Sequence, residues 1–208
     1  MKIDLKKSLE SYQAKRNQFR ILEIPSMRYL MVDGHGDPSS AKEFSDAIGA
    51  LFPMAYGLKF KSKIELKKDY VVPPLEGLWW ARDMESFAAQ RDKSQWDWTL
   101  MIMVPEWITK KMFDETKAKV STKGIPASSK VRLDTLDEGT CIQVLHVGSF
   151  DDEGPILEKL HKEFIPEHGF TLAMKHHEIY FSDFRKVAQE KLRTILRQPV
   201  RVSKSKVA

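Results

Sequence analysis

The sequence predicts an α+β fold built from one strand–strand–helix–strand module used twice. Three observations point there. Leu30-Met31-Val32-Asp33-Gly34-His35-Gly36 and Val144-Leu145-His146-Val147-Gly148-Ser149-Phe150 both run from an apolar strand pattern into a glycine turn. Each is followed by an amphipathic helical stripe with a proline near its end, Phe52-Pro53 in one case and Ile165-Pro166 in the other. Each then leads to a strand that sets a glutamate beside aromatic residues, Pro73-Pro74-Leu75-Glu76-Gly77-Leu78-Trp79-Trp80 and Lys175-His176-His177-Glu178-Ile179-Tyr180-Phe181-Ser182. A further strand precedes each helix-bearing segment, at residues 19–24 and 131–136. The letters differ, so the repeat rests on pattern.

Residues 1–18 are polar and lysine-rich, with Leu5, Leu9 and Tyr12 as apolar punctuation, and read as an arm or a short helix. The strand at 19–24 stops at Pro25. Residues 27–32 form a continuous β-type run, and 33–38 are dense in turn residues. Ser39 or Ser40 can cap the helix that follows. Its stripe is Ala41, Phe44, Ile48, Leu51, Phe52 and Ala55. Residues 58–69 read as a lysine-rich connector, in part a strand, before Tyr70-Val71-Val72 enters the first glutamate motif. Residues 84–94 read as a loop.

Residues 95–104 are a strong strand. Trp96, Trp98, Leu100, Ile102 and Val104 share one face and Met101 and Met103 the other, so both faces should be buried. Residues 107–121 form a linking helix anchored by Ile108, Met112 and Phe113. After the break at 124–129, Asp137-Glu138-Gly139 reads as a hairpin turn between strands 131–136 and 141–147. Asp151 or Asp152 can cap the second helix, and Glu153 suits its dipole. Ile156, Leu157, Leu160 and Phe164 make its stripe, which ends at Pro166 and Gly169. Residues 172–181 are the strand of the second glutamate. Residues 192–200 read as a final edge strand, with a helix over 184–196 as the alternative. The organisation expected is a single domain over 19–202, with repeats at about 19–105 and 130–200 and a tail at 203–208.

The chain has 208 residues, 42% hydrophobic and 30% charged, enough to build a core and remain soluble. No apolar run nears the roughly 20 residues of a membrane span. The charged start, Met1-Lys2-Ile3-Asp4-Leu5-Lys6-Lys7, has no apolar signal region, which leads to an expected cytoplasmic location. One cysteine, Cys141, rules out an internal disulfide framework and reads as a buried inert thiol. The net charge of +5 is spread over separate lysine groups, which solvated faces explain better than a nucleic-acid patch. No helix-turn-helix or zinc-finger spacing supports DNA binding. The adjacent His176 and His177 lack the companions that a metal site needs, so no metal is expected.

In a duplicated module the last strands can line one groove, with Glu76 and Glu178 facing each other across it. Such a concave apolar site with a few polar groups is the usual form of a small-molecule pocket. On a regular strand Trp79 and Trp80 point to opposite faces, and Trp80 shares the face of Glu76. Tyr180 and His176 share the face of Glu178, while His177 points away. Each has a plainer reading: Glu76 as a solvated strand residue, one tryptophan as core, His146 as a satisfied core histidine. Trp96, Trp98 and Trp107 read most simply as core.

Pro74-Leu75-Glu76-Gly77-Leu78-Trp79-Trp80, His146-Val147-Gly148-Ser149-Phe150-Asp151-Asp152-Glu153 and Lys175-His176-His177-Glu178-Ile179-Tyr180 resemble the GyrI-like small-molecule-binding proteins. These are related to the effector domains of multidrug-sensing transcription regulators. The resemblance covers about residues 21–200. It implies the duplicated module around a ligand cleft and a central carboxylate, to which Glu178 corresponds. Without a DNA-binding segment the chain resembles a stand-alone member. With its double tryptophan it is similar to the GyrI-like cyclopropanoid hydrolases, which open the cyclopropane of alkylating natural products of the yatakemycin class.

What this implies is a cofactor-independent detoxifying hydrolase acting on an amphipathic aromatic small molecule. A flat substrate must be sandwiched, for which Trp79, Trp80, Leu78, His176 and Tyr180 are candidates. Water must be oriented or deprotonated, which suits Glu178, with Glu76 as partner carboxylate. Charge developing on the conjugated carbonyl needs a donor such as Tyr180 or a histidine. The alternative is a non-catalytic module that sequesters or senses amphipathic, often cationic, molecules, with Glu178 as counter-ion. A third reading is a protein that acts on gyrase or a regulator.

Overall fold

A computed structural model describes residues 2–81 and 92–203. Most of the loop expected at 84–94, and the tail beyond Ser203, lie outside the described residues. The fold is α+β, with antiparallel sheets and helices, and the chain divides into two compact units. Residues 2–10 and 26–136 belong to the first unit, residues 11–25 and 137–203 to the second.

In the first unit, β3 (Met27–His35), β5 (Leu75–Ala81), β6 (Trp96–Val104) and β7 (Arg132–Leu136) pair antiparallel in the order β5-β6-β3-β7. A short parallel pair, β1 (Lys2–Ile3) with β4 (Asp69–Tyr70), ties down the start of the chain. The helix α1 (Leu5–Ser8) follows β1, with Asp4 accepting from the Lys6 amide at its start. The long helix α2 (Lys42–Glu65) packs on β3 and β6, and α3 (Lys110–Ser121) packs on α2. Thr109 caps α3 by accepting from the Met112 amide. As expected, β6 is buried on both faces because α2 covers one of them and its central residues are enclosed on the other.

The turn expected at 33–38 begins later, since β3 runs on to His35. Gly34 permits this: a Cβ there would lie 2.1 Å from the Trp98 ring. Neither Ser39 nor Ser40 caps α2. The N-cap is Ala41, and Ser39 instead donates to Asp37 through both its amide and its hydroxyl. The helix does not end near Pro53 but continues through the stretch expected to be a connector. Tertiary partners outweigh the missing proline N–H. Lys59 pairs with Asp69 at 2.7 Å, the Ser62 hydroxyl donates to the Lys68 carbonyl, and Trp107 Nε1 donates to Ser62 Oγ.

In the second unit, β2 (Arg20–Ile24), β8 (Gly139–Val147), β10 (His176–Tyr180) and β11 (Arg193–Val202) pair antiparallel in the order β2-β8-β11-β10. The short β9 (Phe170–Leu172) also pairs with β11. The helix α4 (Gly154–Lys159) runs through a π-helical turn, Leu160–Phe164, into α5 (Ile165–Glu167). Leu160 and Ile165 pack on Ile142 and Val200, with Phe19, Phe164 and Phe170 around them.

Several expectations change here. Asp137-Glu138-Gly139 does not close a hairpin, because β7 pairs with β3 whereas β8 pairs with β2 and β11. The strand expected at 172–181 is broken at Met174, which takes a positive φ of 53°. The last strand is not an edge: β11 has β8 on one side and β10 on the other. Neither Asp151 nor Asp152 caps the second helix through a side-chain bond to its amides; a 3-10 turn, Phe150–Glu153, enters it instead. Cys141 is buried, and burial pushes its thiol pKa well up.

Candidate functional site

Strand alternation and register sort the side chains of each unit into faces. In the first unit Trp79 packs on Phe44 of α2, with ring centroids 6.0 Å apart, and edge-on against Trp96 at 5.7 Å. Trp98 meets Phe44 edge-on at 5.2 Å. Trp79 is therefore core, and it is Trp80, half-buried, that points away from α2 together with Leu78 and Glu76. Glu76 is fully buried and so is not a solvated strand residue. Cross-strand pairing sets Glu76 against Met101, Leu78 against Thr99 and Trp80 against Asp97. Further along the same face, Thr99 donates to Asp33 at 2.6 Å, Arg132 grips the same carboxylate at 2.7 Å, and His35 Nδ1 meets Asp97 Oδ1 at 2.8 Å.

In the second unit Glu178 projects from β10 on the same side as His176 and Tyr180. The Tyr180 hydroxyl donates to Glu178 Oε2 at 2.7 Å. His176 Nε2 lies 3.5 Å from Glu178 Oε1. The carboxylate is nearly enclosed, with 12% of its side chain exposed. Phe150 stands edge-on to Tyr180 at 5.7 Å and to Phe184 at 6.2 Å, so rings flank this end of the cluster. Tyr180 pairs across β11 with Thr194, which pairs with His146, and Glu178 pairs with Leu196, which pairs with Val144. His146 is satisfied, its Nε2 lying 2.9 Å from the Ser149 carbonyl.

The helical layer completes this side. His161, on the π-helical turn, stands perpendicular to His176 at 6.4 Å. Burial, and His176 beside it, push the His161 imidazole down to about 4, so it is neutral at pH 7. Sequence reasoning missed His161. It falls between the stripe positions Leu160 and Phe164, and only an inserted π turn brings it inward.

On the opposite side of β10, His177 points away from Glu178 as expected, into a buried ion cluster. Its Nδ1 lies 3.0 Å from Glu138 Oε1, and Arg197 donates to Glu138 Oε2 at 3.0 Å. Arg197 also donates to Gln143 Oε1 and to the Ser11 carbonyl. Burial alone would raise the Glu138 carboxyl, but His177 and Arg197 outweigh it and hold it down at about 2. This cluster, also unforeseen, fixes the strand that carries Glu178.

The two glutamates are thus not counterparts. Glu178 lies on the helix-bearing face of its unit, whereas Glu76 lies on the face away from α2. The structure brings Glu178, Tyr180 and His176 together, and it brings Glu76, Leu78 and Trp80 together. Among the described residues no group of three or more His, Cys, Asp or Glu is arranged to hold a metal ion. No described helix is long and apolar enough to cross a membrane.

An uncharacterized conserved protein from Listeria innocua is 36% identical, with a TM-score of 0.86, covering 96% of this chain and 100% of its own. A hydrolase from Listeria innocua is 35% identical, with a TM-score of 0.83 over 96% of this chain and 100% of its own. The C-terminal domain of EcmrR, 14% identical with a TM-score of 0.53, covers 89% of this chain and 98% of its own and shares the fold. No curated protein matches the chain. The GyrI-like small molecule binding domain matches residues 17–201, and with nearly its whole length inside that match the chain belongs to the GyrI-like family.

Proposed function

We propose that the protein hydrolyses the cyclopropane of DNA-alkylating cyclopropanoids, with Glu178 as the base. The observation that carries this reading is the hydrogen bond from Tyr180 to a nearly enclosed Glu178 with aromatic rings beside it. Hydrolysis as the reaction class is supported by the Listeria innocua hydrolases at 35% and 36% identity.

The steps balance with water alone. Tyr180 occupies Glu178 Oε2 and orients the carboxylate, leaving Oε1 to hold a water molecule. As the water oxygen bonds to the strained methylene carbon, its proton passes to Glu178. The ring C–C bond breaks, and its electron pair moves into the conjugated dienone, whose carbonyl oxygen becomes a phenolate. Protonation of that oxygen completes the addition of one water and returns the carboxylate. No cofactor takes part. His176 Nε2 lies 3.5 Å from Oε1, beside the position proposed for the water. Trp80 and Leu78 are the proposed ligand contacts of the first motif. Glu76 is proposed as the second carboxylate on the strength of that motif, and Trp79 is left to packing.

The test incubates purified protein with a cyclopropanoid alkylator and follows the ring-opened product by chromatography. Turnover in the wild type and its loss in Glu178→Gln support the proposal. Unchanged conversion by Glu178→Gln overturns the assignment of the base. Tight binding without conversion by the wild type supports instead a sequestering module in which Glu178 is a counter-ion. Glu76→Gln, measured separately, decides whether the second carboxylate takes part.

A further inference from the structure

The outward face of α2 carries an apolar ladder that the fold does not use. Phe52, Tyr56, Phe60 and Ile64 follow one another at four-residue spacing, so they stand in a row along the helix. Tyr56 is 47% exposed, Phe60 53% and Ile64 67%, while Phe52 is half-buried. Successive rings, Phe52 to Tyr56 and Tyr56 to Phe60, lie 6.5 Å apart, tilted by 31° and 32°. Single exposed apolar residues are ordinary on a protein surface, but a contiguous aromatic row on one helix is a contact surface.

We propose that this face binds the same face of a second copy of the chain, helix against antiparallel helix. The row is self-complementary. An antiparallel pair with its two-fold axis between residues 54 and 55 sets Phe60 opposite Gly49 and Phe52 opposite Gly57. It also sets Pro53 opposite Tyr56 and Asp46 opposite Lys63. By the symmetry Phe60 of each copy meets Gly49 of the other, where a ring finds room against bare backbone, whereas Gly57 is already packed by Thr116 of α3. Gly49 is exposed, and a Cβ built on it would meet no atom within 4 Å, so the hollow is open. The charges agree with the shape. Asp46 holds Lys42 at 2.6 Å and Lys63 lies 3.6 Å from Asp69, so the symmetry joins these two ion pairs across the contact, once at each end. A two-fold interface requires this reciprocity, in which residue i meets j and j meets i.

Sedimentation of the full chain over a range of concentrations tests the proposal. The wild type should show a reversible dimer. Gly49→Leu should fill the hollow and weaken the dimer at least tenfold, while the monomer keeps its fold by circular dichroism, because nothing in the monomer touches that site. Phe60→Ser should do the same. The charged pair gives a sharper arm. Asp46→Lys alone and Lys63→Asp alone each place like charges opposite one another and should both weaken self-association. A mixture of the two variants restores both pairs and should dimerise as the wild type does. A wild type that stays monomeric at every concentration overturns the proposal. So does a dimer indifferent to Gly49→Leu, or a monomer that floats with anionic phospholipid vesicles through the same row.

Discussion

The Tyr180 hydroxyl meets Glu178 Oε2 at 2.7 Å from two residues further along the same strand. Neighbours at that spacing share a face, so the pair needs no loop to assemble it, and its geometry is as stiff as the strand. If Glu178 is the base, Glu178→Gln should lower turnover by about 10²- to 10⁴-fold, the usual range for a general base. Tyr180→Phe removes only the orienting bond and should cost about 10- to 100-fold, as a hydrogen bond to a charged group does. Steady-state kinetics on folded variants check both, and equal losses in the two would contradict the division of roles.

Arg197 is fully buried and is held by Glu138, Gln143 and the Ser11 carbonyl. Glu138→Ala leaves that guanidinium without its counter-charge and should destabilise the protein by about 3–5 kcal/mol. Urea denaturation measures this. The pH dependence carries a definite sign. The folded carboxyl sits at about 2, below the ordinary value of 4.5, so its contribution is present above pH 4.5 and is lost as the pH falls toward 2. Glu138→Gln should flatten that part of the acid limb.

His161 adds a second slope at higher pH. Its folded value is about 4 against 6.5 when free, so between those values the unfolded chain binds the extra proton. Stability should therefore rise with pH from about 4 to 6.5 and level off above. His161→Phe should remove this segment of the profile in thermal melts at graded pH and leave the lower one in place.

Gly34 lies directly under the Trp98 ring, where an added Cβ would come within 2.1 Å. Gly34→Ala should cost about 3 kcal/mol through overpacking, since both the strand and the enclosed indole resist movement. Gly49→Ala, on an open helix surface, should instead be neutral or stabilising to the monomer by up to about 1 kcal/mol. Comparing their melting temperatures separates the two effects.

Cys141 is fully buried in β8, and burial raises its pKa. It should resist a thiol-specific reagent in the native protein and react at once in denaturant. Rapid native labelling would mean that β8 opens.

The elements built on continuous apolar strands were legible in the sequence, as was the split of Trp79 and Trp80 onto opposite faces, whereas which ring is core is decided by the packing of Phe44 and Trp96 on Trp79. The second half of α2 was not. Its buried faces at Lys59 and Ser62 are polar, and they pack inward only because Asp69, the Lys68 carbonyl and Trp107 meet them there. The Glu178 cluster was half legible: His176 and Tyr180 follow from strand spacing, whereas His161 depends on a π turn that periodicity hides. Glu138 reads as a turn residue, and nothing local marks Arg197 as its partner, until the register sets them on one another. Register between distant strands is decided by packing and does not show in local pattern.

The place of β2 has a consequence for how the chain is made. Arg20 finds its partner in Gln143, and Ile24 in Gly139, more than a hundred residues later. At a synthesis rate of about 5–20 residues per second, residues 20–24 wait roughly ten seconds before β8 exists to receive them. Throughout that interval the sequence that completes the first unit, residues 26–136, is emerging and has its own strands to pair. The second unit thus joins residues 11–25 to residues beyond 136, a long-range pairing of the kind that slows folding. A chain whose residues up to 136 alone have cleared the ribosome would hold a finished first sheet and a lone β2 strand, still exposed to holding factors and proteases.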